Sequence, residues 1–106
     1  MPKRNRAASR LPSLSGISGL VCRNIFIGNH RTSIKLEASM WDMLEEIAES
    51  EGYGVDGLCF MIWKGYDEER RARGILEGSW DVTFTSAVRV FIAKYYRAAA
   101  VAGQST

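Results

Sequence analysis

The sequence has few cysteines and histidines, the residue types that build disulfide scaffolds and many metal sites, and it has no long apolar run. Its 106 residues include two cysteines, Cys22 and Cys59, and a single histidine, His30. Two cysteines without a CxxC pair exclude a disulfide framework and favour free thiols in a reducing compartment. No stretch approaches the roughly 18 consecutive apolar residues of a membrane span. We therefore expect no metal, no other cofactor and no membrane partner.

Acidic residues are absent from the first third of the sequence. Residues 1–36 carry seven Lys or Arg side chains and no Asp or Glu, whereas residues 37–106 carry the other seven basic residues and all 12 acidic ones. The two parts have formal charges of +7 and −5, although the whole chain is only +2. A basic N-terminal segment on an acidic body indicates a polyanionic partner, with nucleic acid as the first candidate.

Residues 1–22 have the composition of a flexible basic arm. Arg, Ser, Gly and Pro dominate, and the few apolar residues cannot bury enough surface to offset the entropy of ordering. A transit peptide shares this Arg- and Ser-rich, acid-free composition and stays an alternative interpretation. If the partner is DNA, the side chains expected to contact its phosphates are those of Lys3, Arg4, Arg6 and Arg10.

A half-buried strand follows the arm. The segment 24–27 is β-prone, Gly28-Asn29 is a turn signal, and residues 31–36 alternate between polar and apolar side chains. A period of two is typical of a strand with one buried face. The core-facing residues are Thr32, Ile34 and Leu36, and the outward-facing residues are Arg31, Ser33 and Lys35.

The apolar spacing changes from two to 3.6 at Glu37, which predicts helices from there on. The first helix ends at Gly52, a residue typical of helix C-termini. The run Leu58–Trp63 is apolar all round and fits either a buried strand or a helix. The start signal Gly54-Val55-Asp56 favours the helix.

The last third of the sequence predicts a third helix after a segment that is harder to interpret. Residues 64–82 fit a short exposed helix or an ordered loop, with i, i+4 ion pairs Asp67–Arg71 and Glu69–Arg73. Thr83 is the expected N-cap of the third helix. We expect that helix to fray beyond residue 97, so that residues 98–106 form a tail.

A single strand leaves its backbone groups unpaired in one chain. A two-fold dimer would pair two strands antiparallel across its axis and would cover the Leu58–Trp63 run. The predicted fold is therefore mostly α: one strand and three helices per chain, in an intertwined homodimer with a two-stranded antiparallel ribbon. The residues expected in the dimer core are Ile34, Leu36, Trp41, Leu44, Leu58, Met61 and Ile62.

The segment His30 to Glu37 (HRTSIKLE), with Met40-Trp41 and Leu44–Ala48, resembles the ribbon-helix-helix proteins of the Arc/MetJ type. It is most similar to a bacterial branch with a GHRTS strand and a third helix. The resemblance covers residues 23–64 and 83–97, which makes 23–97 the predicted domain. It implies an obligate homodimer, cytoplasmic and nucleoid-associated, that binds double-stranded DNA and represses or regulates transcription.

The resemblance also implies residue roles. Arg31, Ser33 and Lys35 would face the base edges, and the helix start at Gly54 and Val55 would bind a phosphate through free N–H groups. Arg23 and His30 complete the expected phosphate contacts. The chain departs from the family pattern at Asp56, whose carboxylate would repel a phosphate.

A second class of function stays open at this point. A ribbon-helix-helix dimer can serve as a protein-interaction module of the antitoxin kind, with residues 65–106 binding a protein partner. Dimers could also assemble further along DNA. An enzyme is not expected, because no nucleophile, second imidazole or carboxylate pair accompanies His30.

Overall fold

The computed structural model describes residues 11–15 and 17–104. Two strands precede three helices, so the predicted order of a ribbon followed by helices is confirmed. The elements are β1 (Leu20–Ile27), β2 (His30–Glu37), α1 (Ala38–Glu51), α2 (Val55–Ala72) and α3 (Phe84–Gln104).

The ribbon is a β-hairpin within one chain. β1 and β2 pair antiparallel from Ile27 opposite His30 to Leu20 opposite Glu37. The sequence predicted one strand per chain, and the structure adds a second, β1, from residues that the sequence assigned partly to the arm. Gly28 explains the difference: its φ of 62° opens a two-residue hairpin turn. Closing so short a loop costs little chain entropy.

Helix α1 buries the apolar stripe that the sequence predicts. Trp41, Leu44 and Ile47 lie in the core. The helix ends at Gly52, whose φ of 81° is left-handed, and the next N–H, that of Tyr53, donates to the Ala48 carbonyl at 2.8 Å. This is the C-terminal geometry expected of a helix that ends at glycine.

Helix α2 settles the structure of the Leu58–Trp63 run, which is helical as predicted. The helix continues to Ala72, and both expected ion pairs form, Arg71 with Asp67 at 2.9 Å and Arg73 with Glu69 at 2.8 Å. The segment 64–82 is therefore the end of a long helix followed by a loop.

Helix α3 begins after Thr83, whose hydroxyl accepts a hydrogen bond from the Ser86 N–H at 3.1 Å, as expected of an N-cap. It continues to Gln104. Residues 98–102 are helical in the structure, and this segment is mostly alanine, the residue with the highest intrinsic helix propensity.

One core joins the hairpin to all three helices. It contains two residues of α3, Val88 and Ile92, together with Ile25 of β1. Six of the seven residues predicted for a dimer core are buried within the chain, whereas the side chain of Met61 is 44% exposed. Within residues 11–15 and 17–104, no helix combines the length and hydropathy that a bilayer span requires.

Candidate nucleic-acid interface

The hairpin has one solvent-facing surface, which we call the outer face. Its register places Phe26 opposite Arg31 and Asn24 opposite Ser33, with Cys22 opposite Lys35. All six residues are exposed. The outer face therefore presents two parallel columns of side chains, one from each strand.

The opposite surface of the hairpin, its inner face, packs on the helices. Ile34 is 2% exposed and Leu36 is fully buried, while β1 contributes Ile25 at 1%. The strand phase predicted from the alternation of β2 is thereby confirmed. The inner face thus packs the hairpin onto the helices, while the side chains of the outer face stay exposed.

Arg31 and Lys35 keep their charges available. Neither residue belongs to an ion pair among the residues that the structure describes. Between them, the Ser33 hydroxyl donates a hydrogen bond to Oδ1 of Asn24 at 2.8 Å. Two free cations thus flank a pair of neutral hydrogen-bonding side chains.

The start of α2 lies against the edge of β1. The backbone N–H of Phe26 donates to Oδ1 of Asp56 at 3.3 Å. The Asp56 carboxylate therefore bonds to the hairpin, and no side chain caps the helix at Gly54. Gly54 is exposed and Val55 is half-buried, so the free N–H groups of this helix start lie beside the hairpin.

Arg23 does not share the outer face. It lies on the inner face opposite Ile34, where its guanidinium pairs with Glu45 at 2.8 Å and stacks over the Trp41 ring at 4.6 Å. This geometry gives no support to a phosphate contact by Arg23. His30 is exposed at the first position of β2. The expected phosphate contacts Lys3, Arg4, Arg6 and Arg10 lie outside the described residues.

Helix α3 is tied to the first half of the chain by polar contacts that the sequence analysis missed. The hydroxyl of Tyr96 donates to Glu46 at 2.7 Å, and that of Tyr95 donates to Glu51 at 2.7 Å. The bond to the Glu46 carboxylate is the main reason that the pKa of Tyr96 is raised to about 12. No local sequence signal identifies these pairs, since their members are at least 44 residues apart.

An apolar groove of about 660 Å³ runs between α2 and α3. The residues that line it include Met61, Trp80, Val90 and Lys94. Most of the lining belongs to residues 65–106, the region that sequence analysis associated with a protein partner.

The two cysteines are free thiols in different surroundings. Cys59 is fully buried, and burial raises the pKa of its thiol to about 12, which keeps it protonated. Cys22 is exposed and free. Among residues 11–15 and 17–104, no group of three or more His, Cys, Asp or Glu side chains could hold a metal.

A basic two-stranded ribbon backed by helices defines a class of DNA-binding and regulatory proteins. The family model of the ribbon-helix-helix domain matches residues 20–96, and the chain belongs to that family. The match starts at the first residue of β1 and ends within α3, so the family domain includes both strands of the hairpin. Domains of this family are typically non-enzymatic and form homodimers. No curated protein and no solved structure matches the chain significantly.

Proposed function

We propose that this protein is a sequence-specific DNA-binding regulator, most simply a transcriptional repressor, that reads the major groove with its hairpin. The observation that carries the proposal is the outer face: Arg31, Ser33 and Lys35 are exposed on a ribbon that packs on the helices, and the two cations have no ion-pair partner in the described chain. A two-stranded ribbon fits the major groove, which is about 12 Å wide.

The side chains of the outer face can form hydrogen bonds with the edges of bases. Guanine presents two acceptors, O6 and N7, to an arginine or a lysine, and a serine hydroxyl can donate or accept. We assign base contacts to these three residues. Phosphate contacts are assigned to His30 and to the N–H groups at Gly54 and Val55, with the N-terminal arm on flanking phosphates.

A homodimer would present two such hairpins to two symmetric half-sites. The exposed side chain of Met61, on the same helix as buried Leu58 and Ile62, supports an interface on α2. Further dimers could then assemble along the DNA. A protein of this kind would act in the cytoplasm, associated with the nucleoid.

The test is selection of binding sites from random double-stranded DNA, followed by titrations with the selected site. Arg31→Ala and Lys35→Ala should each relax base preference at symmetric positions, by about 1–3 kcal/mol per lost contact. Glu68→Ala is the control, because Glu68 is exposed and lies 12 residues beyond Asp56, the residue of α2 that bonds to the hairpin. If parent protein enriches no sequence and binds DNA no better than a neutral protein, the proposal is wrong.

Salt dependence tests the arm separately. Deleting residues 1–19 leaves β1 intact and should weaken binding to all sequences alike. Each lost phosphate contact should lower the slope of log K against log salt by about 0.9. An unchanged slope would remove the arm from the interface.

A second function, a protein-interaction module, is favoured by one observation, the apolar groove between α2 and α3. Val90 is 52% exposed in its wall. If the groove receives a protein partner, Val90→Glu should abolish co-purification with the product of an adjacent gene and leave DNA affinity unchanged. A toxin encoded next to this gene would favour this function.

A further inference from the structure

We propose that β1 also reads bases, and that Asn24 is a specificity-determining residue with a preference for adenine. This inference rests on the proposed DNA-binding function. It adds a second column of reading residues to the three that β2 supplies.

The register places Asn24 at the centre of the outer face. It lies directly opposite Ser33, and its diagonal neighbours on β2 are Arg31 and Lys35. Side chains of directly opposite residues leave an antiparallel pair in the same direction, with Cβ atoms about 4.5–5.5 Å apart. A groove floor that meets Arg31 and Lys35 therefore also meets Asn24.

The width of the ribbon leads to the same conclusion. Neighbouring strands are separated by about 4.8 Å, so both strands of the hairpin fit within a major groove about 12 Å wide. Because Asn24 and Ser33 are paired within one chain, the β1 column accompanies the β2 column wherever the hairpin docks.

The chemistry of Asn24 selects its base. An asparagine carboxamide pairs with adenine through two hydrogen bonds, accepting from N6 and donating to N7. The Ser33 hydroxyl occupies one lone pair of Oδ1 at 2.8 Å, which leaves the second lone pair and both amide N–H donors for DNA. The same bond holds the carboxamide in place before DNA arrives and so reduces the ordering cost of binding.

Successive side chains of β1 alternate between the outer and the inner face of the hairpin. Phe26, 50% exposed and opposite Arg31, adds an apolar surface of the kind that contacts a thymine methyl group. Arg23, next to Asn24 in sequence, points inward to Glu45. The outer residues of β1 therefore have no role in the core.

The experiment compares selected DNA motifs for the full-length parent, Asn24→Ala, Asn24→Asp and the control Glu68→Ala. The parent motif should contain an adenine in each half-site that Asn24→Ala no longer prefers, with discrimination at that position reduced roughly 5- to 150-fold. Asn24→Asp should shift the preference towards cytosine, whose N4 amino group donates to a carboxylate. Thermal unfolding should stay close to that of the parent in every variant, because Asn24 is exposed.

Three other results would contradict this inference, and they differ in what they imply for the proposed function. An unchanged motif in Asn24→Ala, together with a changed motif in Arg31→Ala, would overturn this inference and leave the proposed function in place. A uniform loss of affinity for all sequences would also overturn it, because it would make Asn24 a backbone contact. If the parent selects no motif, the proposed function fails, and this inference fails with it.

Discussion

The hairpin and the segment between α2 and α3 are the two non-helical regions that pack against the helices, and different kinds of contact hold them in place. The hairpin buries every second residue of β2 from Ile34 onward, so a repeated apolar pattern anchors it. The α2–α3 segment is anchored by a few long side chains. One region depends on periodicity, and the other depends on individual polar contacts.

The contacts of the α2–α3 segment centre on two residues of α2. Arg70, only 8% exposed, donates to the Ile75 carbonyl at 2.6 Å and to Asp67 at 2.7 Å. Tyr66 donates to the Val82 carbonyl at 2.6 Å and stacks on Trp80. Hydrogen bonds to backbone carbonyls thus hold both ends of the loop, where the sequence has no apolar repeat to do so.

The largest effect is expected in the hairpin. Ile34→Ala should lower the free energy of unfolding by about 2–5 kcal/mol, because it removes a fully packed side chain and leaves a cavity. Ser33→Ala, the adjacent residue on the outer face, is the control and should cost less than about 1 kcal/mol. Urea denaturation measures both, and equal losses would show that the two faces of the hairpin are equally buried.

The next effect is expected at Arg70. Arg70→Met keeps the aliphatic stem but leaves the Ile75 carbonyl without its donor, which should cost about 1–3 kcal/mol in urea denaturation. A loss near zero would mean that Arg70 does not anchor the loop.

The same substitution should also change the acid dependence of stability. Hydrogen bonding from Arg70 is the main reason that the pKa of the Asp67 carboxyl lies below its ordinary value of 3.8. A lowered carboxyl pKa stabilises the fold above the unfolded-state pKa, and this stabilisation is lost as the pH falls through the folded-state pKa. The difference between parent and Arg70→Met should therefore be largest near neutral pH and should narrow below about pH 4.

A smaller effect is expected at Tyr66. Tyr66→Phe keeps the ring against Trp80 and removes only the bond to the Val82 carbonyl, so the expected cost is about 0.5–1.5 kcal/mol. Near-ultraviolet circular dichroism should retain the aromatic signal. Loss of that signal would indicate that the hydrogen bond, and not the stacking, positions Trp80.

The smallest effect is expected at Arg71, which bonds to the same carboxylate as Arg70 but has a side chain that is 73% exposed. Arg71→Ala should change the free energy of unfolding by no more than about 0.5 kcal/mol. A cost similar to that of Arg70→Met would show that burial does not set the strength of these two contacts.

Local patterns in the sequence determined much of the architecture. The alternation around Ile34 fixes which face of β2 is buried, Gly52 ends α1, and Thr83 caps α3. Each of these signals acts within a few residues, through steric or hydrogen-bonding preferences that do not depend on the rest of the chain. The candidate base-contacting residues of β2 could be named for the same reason.

Only the tertiary structure decided which partners distant residues take. The β-prone segment and turn before β2 are visible in the sequence, but their pairing within one chain, and so the place of Asn24 on the outer face, depends on the register. The inward position of Arg23 and the bond from Phe26 to Asp56 likewise bring together residues 22 and 30 positions apart. Such contacts depend on how the elements pack, because no short-range preference specifies which distant side chain will be near.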